Sequence, residues 1–126
     1  MTAVLPGAVT GTARRVLQLE GAAVLLVCLV LFGRSDVSWW LFAATILVPD
    51  LAMIGYLAGP RTGAALYNAA HWYGWPLLLW VLVPAVPVWV SLVWAAHIGM
   101  DRMLGYGLKH PTGFRDTHLG RIGRDG

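Results

Sequence analysis

Five ionisable side chains interrupt otherwise apolar stretches of this 126-residue chain: Glu20, Asp50, His71, His97 and Asp101, with Arg102 directly after the last. Such groups are expensive in a membrane-spanning helix and are retained where they face an interior or serve a function. Two imidazoles with two or three carboxylates make a mixed nitrogen and oxygen ligand set. It suits a divalent metal such as Zn, Mn or Fe, whereas a calcium site would not use two histidines. With one open coordination position, the metal would activate water to attack an ester or phosphoester. On that reading Asp50, His71, His97 and Asp101 are the metal ligands and Glu20 is the general base. Arg102 would hold a phosphate or carboxylate of the substrate.

Spacing supports a shared centre. His97 and Asp101 are i and i+4 and share one helical face, as do Tyr67, Asn68 and His71. Counted back from the cytoplasmic ends of their helices, Asp50 and His71 lie about 12 Å deep, Asp101 about 10 Å, His97 about 16 Å and Glu20 about 7 Å. Two other readings of the same residues stand beside the metal. In one they are structural: Asp50 caps a helix broken at Pro49, His71 bonds a neighbouring helix, and Asp101 pairs with Arg102 or Lys109. In the other they carry protons or ions.

The elements that would position these groups follow from composition. Hydrophobic residues make up 58% of the chain and charged residues 12%, about half the charge of a soluble domain; the mean hydropathy is +0.66. A helix needs about 20 apolar residues to cross a bilayer, and four runs qualify: about 16–32, 39–57, 64–83 and 86–108. Polar or proline-rich turns separate them at Arg34–Ser38, Gly59–Gly63 and Val83–Ala85. The expected fold is an all-α, integral membrane four-helix bundle, with a short tail over 1–15 and a basic tail over 109–126. Eight of the nine Lys and Arg residues fall on one side of this arrangement and only Arg34 on the other. By the positive-inside rule both termini are cytoplasmic, in a bacterial inner membrane. Glu20 and the lack of a small-residue cleavage site after Phe32 argue against a signal peptide.

The net charge is +3, but no nucleic-acid recognition motif accompanies it. Basic residues at the cytoplasmic ends of spans set topology and contact anionic lipid. The expected partners are therefore membrane lipids, with no nucleic acid; a homo-oligomer is compatible with the pattern. Cys28 is the one cysteine and has no disulfide partner in the chain. Trp72, Trp75, Trp80, Trp89 and Trp94 read as packing or lipid-facing groups. Gly55, Gly59, Gly99, Gly105 and Gly107 read as points of close helix approach.

The stretch from His97-Ile98-Gly99-Met100-Asp101-Arg102 to Gly107-Leu108-Lys109 is unusual. With Pro49-Asp50-Leu51, Gly55-Tyr56, Tyr67-Asn68, His71 and Asp116-Thr117-His118-Leu119-Gly120, it resembles the signature of domain-of-unknown-function family 4260, small bacterial multi-span membrane proteins. The resemblance covers about residues 16–122. It implies that the tail folds back beneath the bundle, with Asp116, His118 and Asn68 as accessory residues of the polar centre. A weaker resemblance, through Pro49-Asp50 and the His97/Asp101 helix, is to inner-membrane metal-dependent hydrolases. Their second Asp and His after the Pro-Asp pair are missing here, where Leu51, Ala52 and Met53 follow. Two functions are thus expected: a metal-dependent membrane hydrolase acting on a lipid or small ester, or a non-enzymatic small transporter or assembly partner.

Overall fold

Helix α1 (Gly11–Gly33) runs for 23 residues without a break, because it contains no proline and is dominated by Leu, Val and Ala. It packs along the last helix, α5 (Val88–Met103). The two backbones meet at paired glycines. A Cβ on Gly21 would stand 2.6 Å from the Gly99 carbonyl oxygen and 2.8 Å from the Met103 nitrogen. A Cβ on Gly99 would stand 2.7 Å from the Gly21 carbonyl oxygen. Only hydrogen fits at this crossing, the small-residue device by which membrane helices approach closely. The computed structural model that shows this describes residues 7–109, 111 and 116–121, with the side chains of residues 116, 120 and 121 outside the described set.

Between α1 and α5 the chain is helical but repeatedly broken. Ser38 caps α2 (Trp39–Thr45), its hydroxyl accepting the Trp40 N–H at 3.2 Å. Pro49 has no N–H for the Thr45 carbonyl and its ring crowds that turn, so the chain continues as a 3₁₀ helix over Val48–Ala58. Gly59, at φ +116°, turns it into α3 (Pro60–Ala70). That helix folds back against the 3₁₀ segment at another glycine pair: a Cβ on Gly63 would run into the Tyr56 ring, and one on Gly55 would stand 2.7 Å from Leu66 Cδ1.

Two expected spans need correction. The run over 64–83 is not one helix: α3 stops at Ala70 and α4 (Gly74–Leu82) begins after a break at His71–Tyr73. Pro76 is the reason, since a continuous helix would need its missing N–H to bond the Trp72 carbonyl. The final helix ends at Met103, short of Leu108. Gly105, at φ +85°, closes it: its N–H donates to the Arg102 carbonyl at 3.0 Å and the Tyr106 N–H to the Asp101 carbonyl at 2.7 Å, the paired bonds of a Schellman cap.

Past this cap the chain returns to the bundle. Strands β1 (Asp116–Thr117) and β2 (Gly120–Arg121) pair antiparallel, and Lys109 bridges Thr117. The Val9 N–H donates to the His118 carbonyl at 2.7 Å, and Arg14 Nε donates to the Leu119 carbonyl at 2.8 Å. At the far end Phe32 is enclosed by Trp39, Phe42 and Trp89, with ring centroids at 4.8, 5.2 and 6.4 Å. Outward faces are apolar: Trp40 is 84% exposed and Leu57 90%. Among the described residues two helical stretches, Gly11–Gly33 and Trp39–Ala58, are long and apolar enough to cross a membrane.

Candidate metal centre

The broken helices set carbonyl oxygens free, and α5 supplies the side chains that take them. In an uninterrupted helix the Ile46 carbonyl would accept from the Asp50 N–H. That N–H donates instead to Leu47, at 3.0 Å, and the N–H three residues on from Ile46 is missing because residue 49 is proline. His97 Nδ1–H fills the gap, donating to the Ile46 carbonyl at 2.6 Å. At the second break Trp94 Nε1–H donates to the Ala70 carbonyl at 2.6 Å, and Arg102 donates to the His71 carbonyl at 3.1 Å. Each satisfies a backbone group that apolar surroundings would otherwise leave unpaired.

These bonds fix which ring nitrogen carries the proton in the neutral form of each histidine. His97 donates from Nδ1 to Ile46, and His71 donates from Nδ1 to the Tyr67 carbonyl at 2.7 Å; a carbonyl can only accept. In the neutral tautomers both Nε2 atoms therefore carry lone pairs. They point at each other at 3.0 Å. Asp50 Oδ1 lies 3.1 Å from each, and Asp101 Oδ2 lies 3.3 Å from His71 Nε2 and 3.4 Å from His97 Nε2. One ligand atom from each of the four residues fits within 4.8 Å of all the others. Four electron-rich atoms at this spacing repel unless a proton or cation sits among them. Ligands about 2.0 to 2.2 Å from a tetrahedral zinc ion stand about 3.3 to 3.6 Å apart, so five separations are already near that edge length.

The surroundings continue the pattern of metal-ligating histidines, whose other ring nitrogen is held by an acceptor. Tyr67 stacks on His71 with ring centroids 3.7 Å apart, and its hydroxyl donates to Asp101 Oδ2 at 3.2 Å. The Lys109 ammonium lies 4.6 Å from the Tyr67 ring centroid, at a distance suited to a cation–π contact. His71 and His97 are fully enclosed and Asp101 nearly so, while the Asp50 side chain is 30% exposed. Asp50 is the accessible edge of the cluster, and it sits on the 3₁₀ segment.

Asp50, His71, His97 and Asp101 therefore come together from two elements, the 3₁₀ segment and α5, and from the helix break that follows α3. Glu20 does not join them; it is exposed on α1, and the base role expected of it finds no support in that position. Arg102 is buried, donating to the Tyr106 carbonyl at 3.2 Å as well as to His71, so it positions His71 where a substrate contact was expected. Asn68 pairs with the backbone of Lys109, donating at 2.8 Å and accepting at 2.5 Å, and so ties the segment after α5 to α3. The tail does return to the bundle, but His118 Nδ1 accepts from the Leu108 N–H at 2.8 Å and stays outside the ligand group; the side chain of Asp116 lies outside the described residues. Sequence reasoning placed Tyr67 on the His71 face but gave it no role, and missed Trp94 and the Ile46 carbonyl. The i, i+4 spacing of Tyr67 and the proline three residues after Ile46 were the available signals.

Neither a curated protein nor a solved structure matches the chain. The domain of unknown function DUF4260 matches it over residues 14–122. That match takes in every residue of the His/Asp cluster and both of its helix breaks, and the chain belongs to this family.

Proposed function

We propose that this protein is an integral membrane metalloprotein of the bacterial inner membrane. In this reading a divalent metal is bound by Asp50, His71, His97 and Asp101 and serves hydrolysis of a lipid or small ester or phosphoester. The observation that carries the reading is the convergence of two Nε2 atoms and two carboxylates, with both Nδ1 atoms already committed to carbonyls. The metal would supply Lewis acidity and an activated water. The protein's part is to hold His71 through Tyr67 and Arg102, and His97 through Ile46. Asp50, partly exposed and carried on the irregular segment, is the ligand placed to yield a position to water or substrate. In this reading the apolar faces of the helices meet lipid, and the excess of basic residues at the helix ends supports a cytoplasmic side for both termini.

One observation favours a second reading. Four protein ligands make a closed shell, the pattern of structural zinc sites, and a metal here would staple the broken helices to α5 in a non-enzymatic membrane protein. The test is hydrolysis of fluorogenic acyl-ester and phosphoester lipids by the purified full chain in vesicles, before and after chelation and with zinc, manganese or iron restored. Turnover that disappears on chelation, returns with metal and falls at least tenfold in Asp50→Asn supports the hydrolase. A bound metal with no turnover on any substrate, and unfolding on chelation, supports the staple.

A further inference from the structure

Two successive residues after α5 have their backbone groups taken by partners far along the chain. Asn68 of α3 takes both groups of Lys109. His118 takes both groups of Leu108: its N–H donates to the Leu108 carbonyl at 2.9 Å, and its Nδ1 accepts from the Leu108 N–H at 2.8 Å. The His118 carbonyl in turn accepts from the Val9 N–H at 2.7 Å. One residue thus ties the β1–β2 hairpin both to the end of α5 and to the stretch before α1. On either side of it Thr117 and Leu119 are buried. Gly107 leaves the space for its ring, since a Cβ there would stand 2.5 Å from His118 Nδ1.

A backbone N–H can only donate, so Nδ1 of the bound His118 presents a lone pair and the ring proton sits on Nε2. A second proton has one place to go, Nδ1 itself, where it would face the Leu108 N–H donor against donor. Histidine is the side chain that ordinarily makes this change between pH 5 and 8, and the half-buried His118 is within reach of water. Among the described residues the charged side chains on the elements that meet it are Arg14 of α1, bound to the neighbouring Leu119 carbonyl, and Lys109. Both are cations and oppose a further proton on the ring. The side chains of Asp116 and Arg121 on the hairpin lie outside the described set.

We infer that His118 is a proton-operated latch: neutral, it holds the hairpin and the Val9 segment against the end of α5, and protonated, it releases both. Lys109 stays tied to α3 through Asn68, so the movement is confined to the hairpin and the Val9 segment. The released form binds one more proton than the latched form, so release is favoured as pH falls. The latch stands whether or not a metal binds the His/Asp cluster.

Amide hydrogen exchange of the full chain in detergent, from pH 7.5 to 5, tests this, each rate being divided by the intrinsic rate at that pH. Protection of the Leu108 and Val9 amides should fall below the ordinary histidine value of about 6.5, by up to about tenfold per pH unit for one proton. Amides inside α1 and α5 should keep theirs. In His118→Asn the side-chain oxygen stands as many bonds from the backbone as Nδ1 and takes no proton, so the decline should vanish. In His118→Phe, a ring without an acceptor, protection of the Leu108 amide should be low at every pH. A wild-type profile flat with pH, a decline shared by the interior of α1 and α5, a decline that survives in both variants, or full protection in His118→Phe overturns the inference.

Discussion

The α1–α5 pair and the segment between them place their backbone hydrogen bonds in opposite ways. In α1 and α5 the hydrogen bonds stay within each helix, and the packing is glycine against backbone. Over Trp39–Leu82 the helix is interrupted by Pro49, Gly59 and Pro76, and carbonyls are left over. Those carbonyls orient the two imidazoles, either directly, as Ile46 does for His97, or through Arg102, which binds the carbonyl of His71. Regular helix supplies the rigid backing, and irregular helix supplies the acceptors and the reach that a ligand cluster needs.

The largest effect should come from filling the glycine crossing. Gly21→Leu or Gly99→Leu sets side-chain carbon against backbone of the partner helix, a fault of about 3 kcal/mol or more, and is expected to abolish recovery of folded protein in detergent. Gly59→Ala meets no neighbour within 4 Å and carries only its φ of +116°, so it should be milder; the reverse order would mean that α1 and α5 do not cross there. Next comes His97→Ala, which removes a ligand and also strands the Ile46 carbonyl. Bound metal should fall to background, and the thermal midpoint should drop in step with about 1–3 kcal/mol of lost stability.

A smaller change should follow from Tyr67→Phe, which leaves all four ligands in place but removes the hydroxyl that steadies Asp101. Loss of such a supporting bond lowers metal affinity about 10- to 100-fold, measurable by competition with a chromogenic chelator, while the fold persists. The smallest concerns Lys109, beyond the end of α5. Burial pushes its ammonium down to about 8, against the opposing pull of Asp101 and Asp50. The unfolded chain then holds more protons than the folded one between about 8 and its ordinary 10.5. Stability should therefore rise with pH across that window, from a penalty fully present below it. Thermal unfolding followed from pH 7 to 10.5 should show this rise in the native chain and not in Lys109→Met.

Much of the candidate site was legible because ionisable residues are conspicuous in long apolar runs. Asp50, His71, His97 and Asp101 stand out in any such run, and i, i+4 spacing puts the last two on one face. Where hydropathy failed was at the helix ends. Two prolines mark the break at Val83-Pro84, whereas hydropathy runs on through Pro76, since apolarity continues across it. Leu104–Leu108 looked like helix for the same reason, although Gly105 had to turn left-handed. Glycines look alike in a sequence but do different work: Gly55 and Gly99 allow close packing, Gly59 and Gly105 allow positive φ, and Gly107 lies against the His118 ring. Glu20 was grouped by depth, which carries no information about rotation around the helix axis.

The central claim is that the four convergent atoms are a metal site, and elemental mass spectrometry of untagged, detergent-purified protein tests it most directly. The account predicts about one equivalent of zinc, manganese or iron per chain, absent from a folded His97→Ala/Asp101→Ala variant. Metal-free protein that stays folded and takes up none of the three on dialysis would contradict it, and would leave a proton shared between His71 and His97 as what holds the cluster together.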